Sequence, residues 1–351
     1  MRHRSKLWLI APLTAMALVA SACGTPDPTP TETSTEDLTT GDQGDIAELV
    51  AAAQAEGTVT WLTAMPQGFA TETAAAFKAE FGIDVEYIAL NSGPLIQRFQ
   101  TEAEAGAISV DVTNASNLTA FADEAIANDW VVPAADADLP VLAVSEYPEE
   151  WFSDGNAPVM SIAPFVILYA EDRLTGDMEP KSFEDFTDPK YDGQLLMADP
   201  GSSDALVGFY KVMLDEYGEE WFEGIADNGV KFFPTVSNAA QAMTAGEGSL
   251  TWGNRAVAGP LLDAGAPVGI NVPPVTTGSL QQVMLTAPDK APHPNAGKLF
   301  VNWLLSESGN RAANGDQAIS TFDTDALGGF QAAPQITPEI KAEINQLLGI
   351  G

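Results

Sequence analysis

Small hydroxyl and amide residues recur in this chain where a predicted strand gives way to a helix. Four such junctions stand out: Thr63-Ala64-Met65, Asn91-Ser92-Gly93, the stretch from Asn114 to Asn117, and Gly201-Ser202-Ser203. Each offers backbone N–H groups and side-chain donors at a helix N-terminus, where the aligned peptide dipoles favour negative charge. Taken singly, each is an ordinary helix cap. Converging on one cleft, they would make an anion pocket, with Ser92, Ser202 and Ser203 as donors and Thr63, Asn117, Ser237 and Trp252 shaping its walls.

Arg255 would supply the positive charge of such a pocket. Beyond the first 22 residues there are only four arginines, Arg98, Arg173, Arg255 and Arg311. Arg255 lies just past a predicted strand, in Trp252-Gly253-Asn254-Arg255, among small residues rather than on an amphipathic face. A guanidinium there can hold a carboxylate or phosphate bidentately. The alternative is a surface ion pair with one of the 49 acidic residues.

Other chemistries are excluded by what is scarce. The only histidines are His3 and His293 and the only cysteine is Cys23, so a histidine-rich metal centre and a Cys/His nucleophile pair are both ruled out. His293 stands in a proline-flanked turn, Pro292-His293-Pro294, and reads as structural. The strained G-x-S-x-G elbow of serine hydrolases does not occur. Fifteen Lys and Arg against 49 acids give a net charge of −34, a surface that repels nucleic acid and anionic lipid headgroups. Trp61 and Trp252 are either core residues or the floor of a pocket; Trp130, Trp151, Trp221 and Trp303 read as packing.

The elements that must position these groups alternate. Thr58–Thr63 reads as a buried strand, and Phe69–Phe81 has helical apolar spacing closed by Gly82. A strand at 85–90 precedes a helix from Ser92, with Ser92 as its cap, and a strand follows at 110–113. Later strands are expected at 165–169, 194–198, 231–233, 249–252 and 282–286. Helices are expected at 205–217, 238–245 and 294–305. This βαβ spacing predicts a mixed or parallel sheet covered on both faces.

The N-terminal region reads differently. Arg2, Arg4 and Lys6 precede an apolar run from Leu7 to Ala20 and then Ala20-Ser21-Ala22-Cys23. That order resembles a bacterial lipoprotein signal, with Cys23 as the lipid attachment site and Ala20 a departure from the usual large aliphatic residue. The run is too short to cross a bilayer comfortably. Residues 24–44, rich in Thr and Pro, read as a disordered tether. Removing the leader deepens the charge to −37, because Arg2, Arg4 and Lys6 leave with it.

From about Glu56 onward the chain resembles the periplasmic or lipoprotein solute-binding components of ABC importers, in the branch of ferric-ion, thiamine, phosphonate and organophosphate binders. The resemblance rests on Glu56-Gly57-Thr58-Val59, on Ser92 to Arg98, and on Asp188 to Gly193 ahead of Met197-Ala198-Asp199-Pro200. Ala291 to Phe300 with Leu304-Leu305-Ser306 completes it. It implies an α/β fold of two lobes (a periplasmic-binding-protein-like fold of type II topology), joined by two crossing strands near Ser161-Ile162 and Gly278-Ser279. Lobe 1 would hold residues 45–161 and 279–317, and lobe 2 residues 162–278 and 318–351.

The departures from the family pattern are informative. Ferric binders carry a tyrosine pair where this chain has Asn254-Arg255; the regions of their histidine and glutamate ligands fall near Pro66 and Ser116. The turn Gly201-Ser202-Ser203, similar to the family's anion subsite, is kept. The resemblance therefore implies a monomeric, lipid-anchored, extracytoplasmic binding protein that closes on a small organic anion without metal, cofactor or catalysis. A membrane permease would be its partner, with no role for nucleic acid. The alternatives are a ferric-ion binder using other ligands, a secreted hydrolase, and a surface adhesion or scaffold protein. If Cys23 carries the lipid, wild-type protein should sediment with membranes and Cys23→Ala should appear in the medium; equal membrane retention of the two would refute the assignment.

Overall fold

The computed structural model describes residues 43–116, 118–144, 147–152, 156–323 and 327–350. Cys23, most of the expected tether and Asn117 lie outside them. The first helix, Gln43–Glu56, begins two residues inside the stretch expected to be tether. Among the described residues, no helix is long and apolar enough to cross a membrane.

The strands in chain order are β1 (Thr58–Thr63), β2 (Asp84–Ala89), β3 (Val112–Ser116), β4 (Val131–Val132), β5 (Val159–Pro164) and β6 (Val166–Ala170). They continue with β7 (Leu196–Ala198), β8 (Lys231–Phe233), β9 (Leu250–Gly253), β10 (Val268–Asn271) and β11 (Gly278–Thr286). The largest sheet has the order β2-β1-β3-β11-β4, with β5 also paired to β11. β1 runs parallel to β2 and β3, whereas β11 is antiparallel to β3, β4 and β5, so the sheet is mixed as expected. A second, antiparallel sheet has the order β10-β6-β9, and β7 and β8 form a short parallel pair beside it.

Two strands link the large sheet to the second. β5 runs into β6 after one residue, and β11 lies against β5 with Gly278 opposite Pro164 and Ser279 opposite Ala163. The Phe165 N–H donates to Thr277 O at 2.8 Å, so the pairing continues through the junction. A Cβ on Gly278 would stand 2.3 Å from Ala163 O, which is why this close approach requires glycine.

Each sheet is covered by aromatic packing. On one face of the large sheet Trp61 meets Phe300 edge-on at 5.3 Å, and Phe77 packs against both Phe300 and Trp303. Leu62, Leu95, Phe99 and Phe121 fill the other face. The expected helix around Phe69–Phe81 runs Gln67–Phe81 and ends in Gly82, whose φ of 73° is the left-handed conformation of a C-cap; its N–H donates to Lys78 O. The helix Pro294–Leu305 has Pro294 in its first turn, and the Glu56 carboxylate accepts from the N–H groups of Asn295 and Ala296 at 3.2 and 2.7 Å. Beside the second sheet, Phe209 stacks on Trp252 at 3.9 Å. The helix Pro338–Leu347 packs there through Ile344. A small cluster of Val159, Ile162 and Leu327 lies by β5, with Trp151, Ile319 and Phe330 against it.

Asn310, fully buried on the helix Glu307–Asn314, ties this region to β5. Its amide donates to Met160 O at 2.8 Å and Leu304 O at 2.6 Å, and its Oδ1 accepts from Ser320 Oγ at 2.7 Å and Thr321 N at 3.1 Å. Truncation would orphan several buried donors and acceptors at once, each costing about 1–3 kcal/mol. Asn310→Ala should therefore lower unfolding stability by roughly 2–4 kcal/mol. A urea midpoint indistinguishable from wild type would show that water or a local shift replaces these bonds.

Candidate functional site

A cavity of about 290 Å³ opens where β5 passes into β6. Ala163, Pro164 and Val166 come from the linking strands, Asn254 and Arg255 from the start of the helix Arg255–Asp263, and residues 315–319 from beyond the helix Glu307–Asn314. Asn254 is the N-cap, and its Oδ1 accepts from Val257 N at 3.0 Å. That arrangement leaves Arg255 as the first helical residue, exposed at the cavity wall.

The other arginines of the described residues are engaged. Arg98 pairs with Glu102 and Arg311 with Glu307 and Asp323. Arg173 donates to the carbonyls of Gly248 and Met243. A second cavity, of about 280 Å³, surrounds Arg173, whose guanidinium is thus already committed to backbone carbonyls. Arg255 alone among these arginines makes no hydrogen bond or ion pair within the described residues. In a chain so rich in acids, that guanidinium forms no ion pair with any of them among the described residues.

Next to the cavity, a polar row crosses the large sheet. Ser279 lies opposite Ala163, which lines the cavity. Gln281 Nε2 donates to Ser279 Oγ at 2.9 Å and to Ser116 Oγ at 2.7 Å, and Gln281 Oε1 accepts from Asn114 Nδ2 at 3.0 Å. The two serine hydroxyls also bond to each other. Ser92 extends the row: its Oγ accepts from Ser116 N at 3.3 Å. The cap of that helix is therefore Asn91, not Ser92 as expected. Asn114 Oδ1 and Ser161 Oγ are buried without a partner among the described residues.

Among the described residues, the remaining expected site residues do not line this cavity. Thr63 is wholly buried at the end of β1, and its Oγ1 accepts from Met65 N at 3.0 Å. Ser203 caps the helix Asp204–Tyr217, and the Ser202 hydroxyl donates to Asp199 O. In that turn the Asp199 carboxylate already takes the Gly201 N–H at 2.7 Å, which occupies a donor an anion would need. Ser237 is exposed in the first turn of the helix Val236–Thr244, whose cap is Thr235. Trp252 is wholly buried against Phe209, and Trp61 is likewise buried, so neither ring floors a pocket. Strand alternation places a side chain on a face, but only the tertiary packing decides whether that face is cavity or core.

Burial disfavours the phenolate form at most of the tyrosines. Burial is the first cause of a raised pKa at five of the six tyrosines, Tyr147, Tyr169, Tyr191, Tyr210 and Tyr217. For Tyr217 it reaches about 12, with Glu216, Glu184 and Asp185 adding to the effect. Among the described residues, no three His, Cys, Asp or Glu side chains are grouped so as to hold a metal ion.

Sequence reasoning did not find Ser279, Gln281 or Asp316 as site residues. Asp316, which lines the cavity, was one acid among 49 with nothing in its neighbours to mark it.

A family model for bacterial extracellular solute-binding proteins matches residues 62–315. No curated protein matches the chain. Among solved structures, the substrate-binding protein of an ABC transporter from Agrobacterium tumefaciens is similar with a TM-score of 0.68 at 17% identity, over 83% of this chain and 94% of that one. Iron-bound HitA from Pseudomonas aeruginosa aligns with a TM-score of 0.59 at 18% identity, over 83% and 97%. The periplasmic binding protein AfuA from Actinobacillus pleuropneumoniae, with exogenous fructose-6-phosphate bound, gives 0.59 at 18%, over 84% and 97%. The shared architecture is the two-lobed α/β fold of periplasmic binding proteins.

Proposed function

The chain belongs to the bacterial extracellular solute-binding proteins, and from that premise we propose that it captures a small organic anion for an ABC importer. Membership of the family makes it an extracytoplasmic binder of solutes. The observation that carries the anion reading is Arg255, a guanidinium without a partner among the described residues, on the wall of a cavity at the junction of β5 and β6. Asn254 precedes it, so the anion would also meet the N-terminus of the helix Arg255–Asp263. The row from Ser92 through Ser116 and Gln281 to Ser279 offers uncharged hydrogen bonds to the rest of the ligand. A phosphonate, phosphate ester or carboxylate fits this description, and the sugar phosphate held by AfuA supports it.

In this reading residues 45–161 with 279–317 form one lobe and 162–278 with 318–351 the other, and they close over the ligand without chemistry. The protein acts as a monomer tethered through lipid on Cys23 and delivers its ligand to a membrane permease. A second reading is ferric ion, which the iron held by HitA supports equally. A titration with ferric citrate separates the two: a visible charge-transfer band lost on mutating a tyrosine would establish iron through a phenolate and overturn the anion reading.

For the anion itself, calorimetry against a panel of phosphonates, phosphate esters and carboxylates is the direct test. Truncating one partner of a buried, charge-assisted contact costs about 2–5 kcal/mol, so Arg255→Ala should lose at least about tenfold in affinity. Arg255→Lys should recover only part of it, because an ammonium lacks the planar fork. Undiminished binding by Arg255→Ala would remove the basis of the proposal.

A further inference from the structure

The cavity that holds Arg255 holds one other charged residue, and it has the opposite sign. Asp316 lies just past the helix Glu307–Asn314, after Gly315, and is exposed to the same space. Like Arg255, it makes no hydrogen bond or ion pair with any described residue, and the two do not pair with each other. The cavity's other polar side chains are already engaged: Asn254 caps its helix, and Gln317 donates to Glu72 Oε2 at 2.6 Å. Ala163, Pro164, Val166, Val272, Ile319 and Leu327 make the rest of the wall largely apolar.

An apolar-walled cavity with one free cation and one free carboxylate is poorly matched to a simple anion. An anion settled on Arg255 would share the cavity with the Asp316 carboxylate and be repelled by it. A ligand carrying its own protonated amine would satisfy both charges at once. Resting on the reading that this cavity is the anion site, we infer that the ligand is a zwitterion, with its oxyanion at Arg255 and its ammonium at Asp316. Asp316 is then a specificity-determining residue: it selects amine-bearing anions over their amine-free counterparts. The small volume sets an upper bound on the spacer, since a ligand must be largely enclosed for either charge to count.

Matched pairs test this by calorimetry on purified protein: phosphoethanolamine against ethyl phosphate, and β-alanine against propionate. A hydrogen bond to a charged group contributes about 1.5–3 kcal/mol, so in at least one pair the amine-bearing member should bind roughly ten- to hundredfold more tightly to wild type. Asp316→Asn should abolish that preference and leave the amine-free member bound as tightly or more so. Equal binding of both members by wild type would overturn the inference while leaving the anion reading intact. So would a preference that survives in Asp316→Asn. If none of the four binds, and neither citrate nor fructose 6-phosphate does, the anion reading falls and the inference falls with it.

Discussion

A single strip of antiparallel backbone, β5 against β11, is what the rest of the structure depends on. It is part of the large sheet, and at Pro164 and Gly278 it becomes the link to the second sheet. Several groups of interest hang from it. The cavity is lined by Ala163 and Pro164 at its end, the polar row includes Ser279 and Gln281 from its β11 side, and Asn310 fastens Met160 on its β5 side. Side chains are nearly excluded at the crossing, since the backbones approach too closely at Gly278 for even a methyl group. Rotation about such a strip is how two packed bodies can move without breaking either core.

Charge gives this geometry its meaning. The chain has an excess of acids, so almost any exposed cation could find a carboxylate, as Lys78, Lys211, Lys341 and Arg311 do. Exposed pairs of this kind contribute little to stability. They matter here as contrast. A guanidinium that forms no ion pair in such a background keeps its charge available, and the helix start beneath it adds to the same field.

Much of the fold was legible in the sequence, and the reasons are specific. β1 and the helix Gln67–Phe81 were readable because apolar period and a left-handed glycine cap agree. The helix Pro294–Leu305 carried a proline at its start and an apolar interior. The apolar pattern marked β11 only from Gln282, whereas the resemblance put a crossing strand near Gly278-Ser279; β11 begins at Gly278, where Gly278-Ser279-Leu280-Gln281 has no apolar alternation and is held by pairing instead. The helix Arg255–Asp263 was missed because Pro260 interrupts its pattern. The site was legible only in part. Arg255, at the cavity wall, was singled out from strand end and charge with Asn254 beside it, whereas the burial of Trp252 and Thr63 and the partners of the Ser202 and Ser203 hydroxyls depended on tertiary neighbours that no local pattern encodes. Asp316 had no local mark at all.

Trp151 gives the molecule a built-in optical reporter. Its ring meets Phe330 edge-on at 6.3 Å, in the cluster that contains Leu327 and Ile319. Both of those residues line the cavity beside Arg255 and Asp316. Trp61, Trp221, Trp252 and Trp303 are buried in the cores of the two larger sheets, and Trp130 packs against the cluster around Phe99 and Phe121. Indole emission is sensitive to local packing and polarity, so filling the cavity should perturb Trp151 through Leu327 and Ile319. Occupancy of the cavity can thus be followed in solution without attaching a dye.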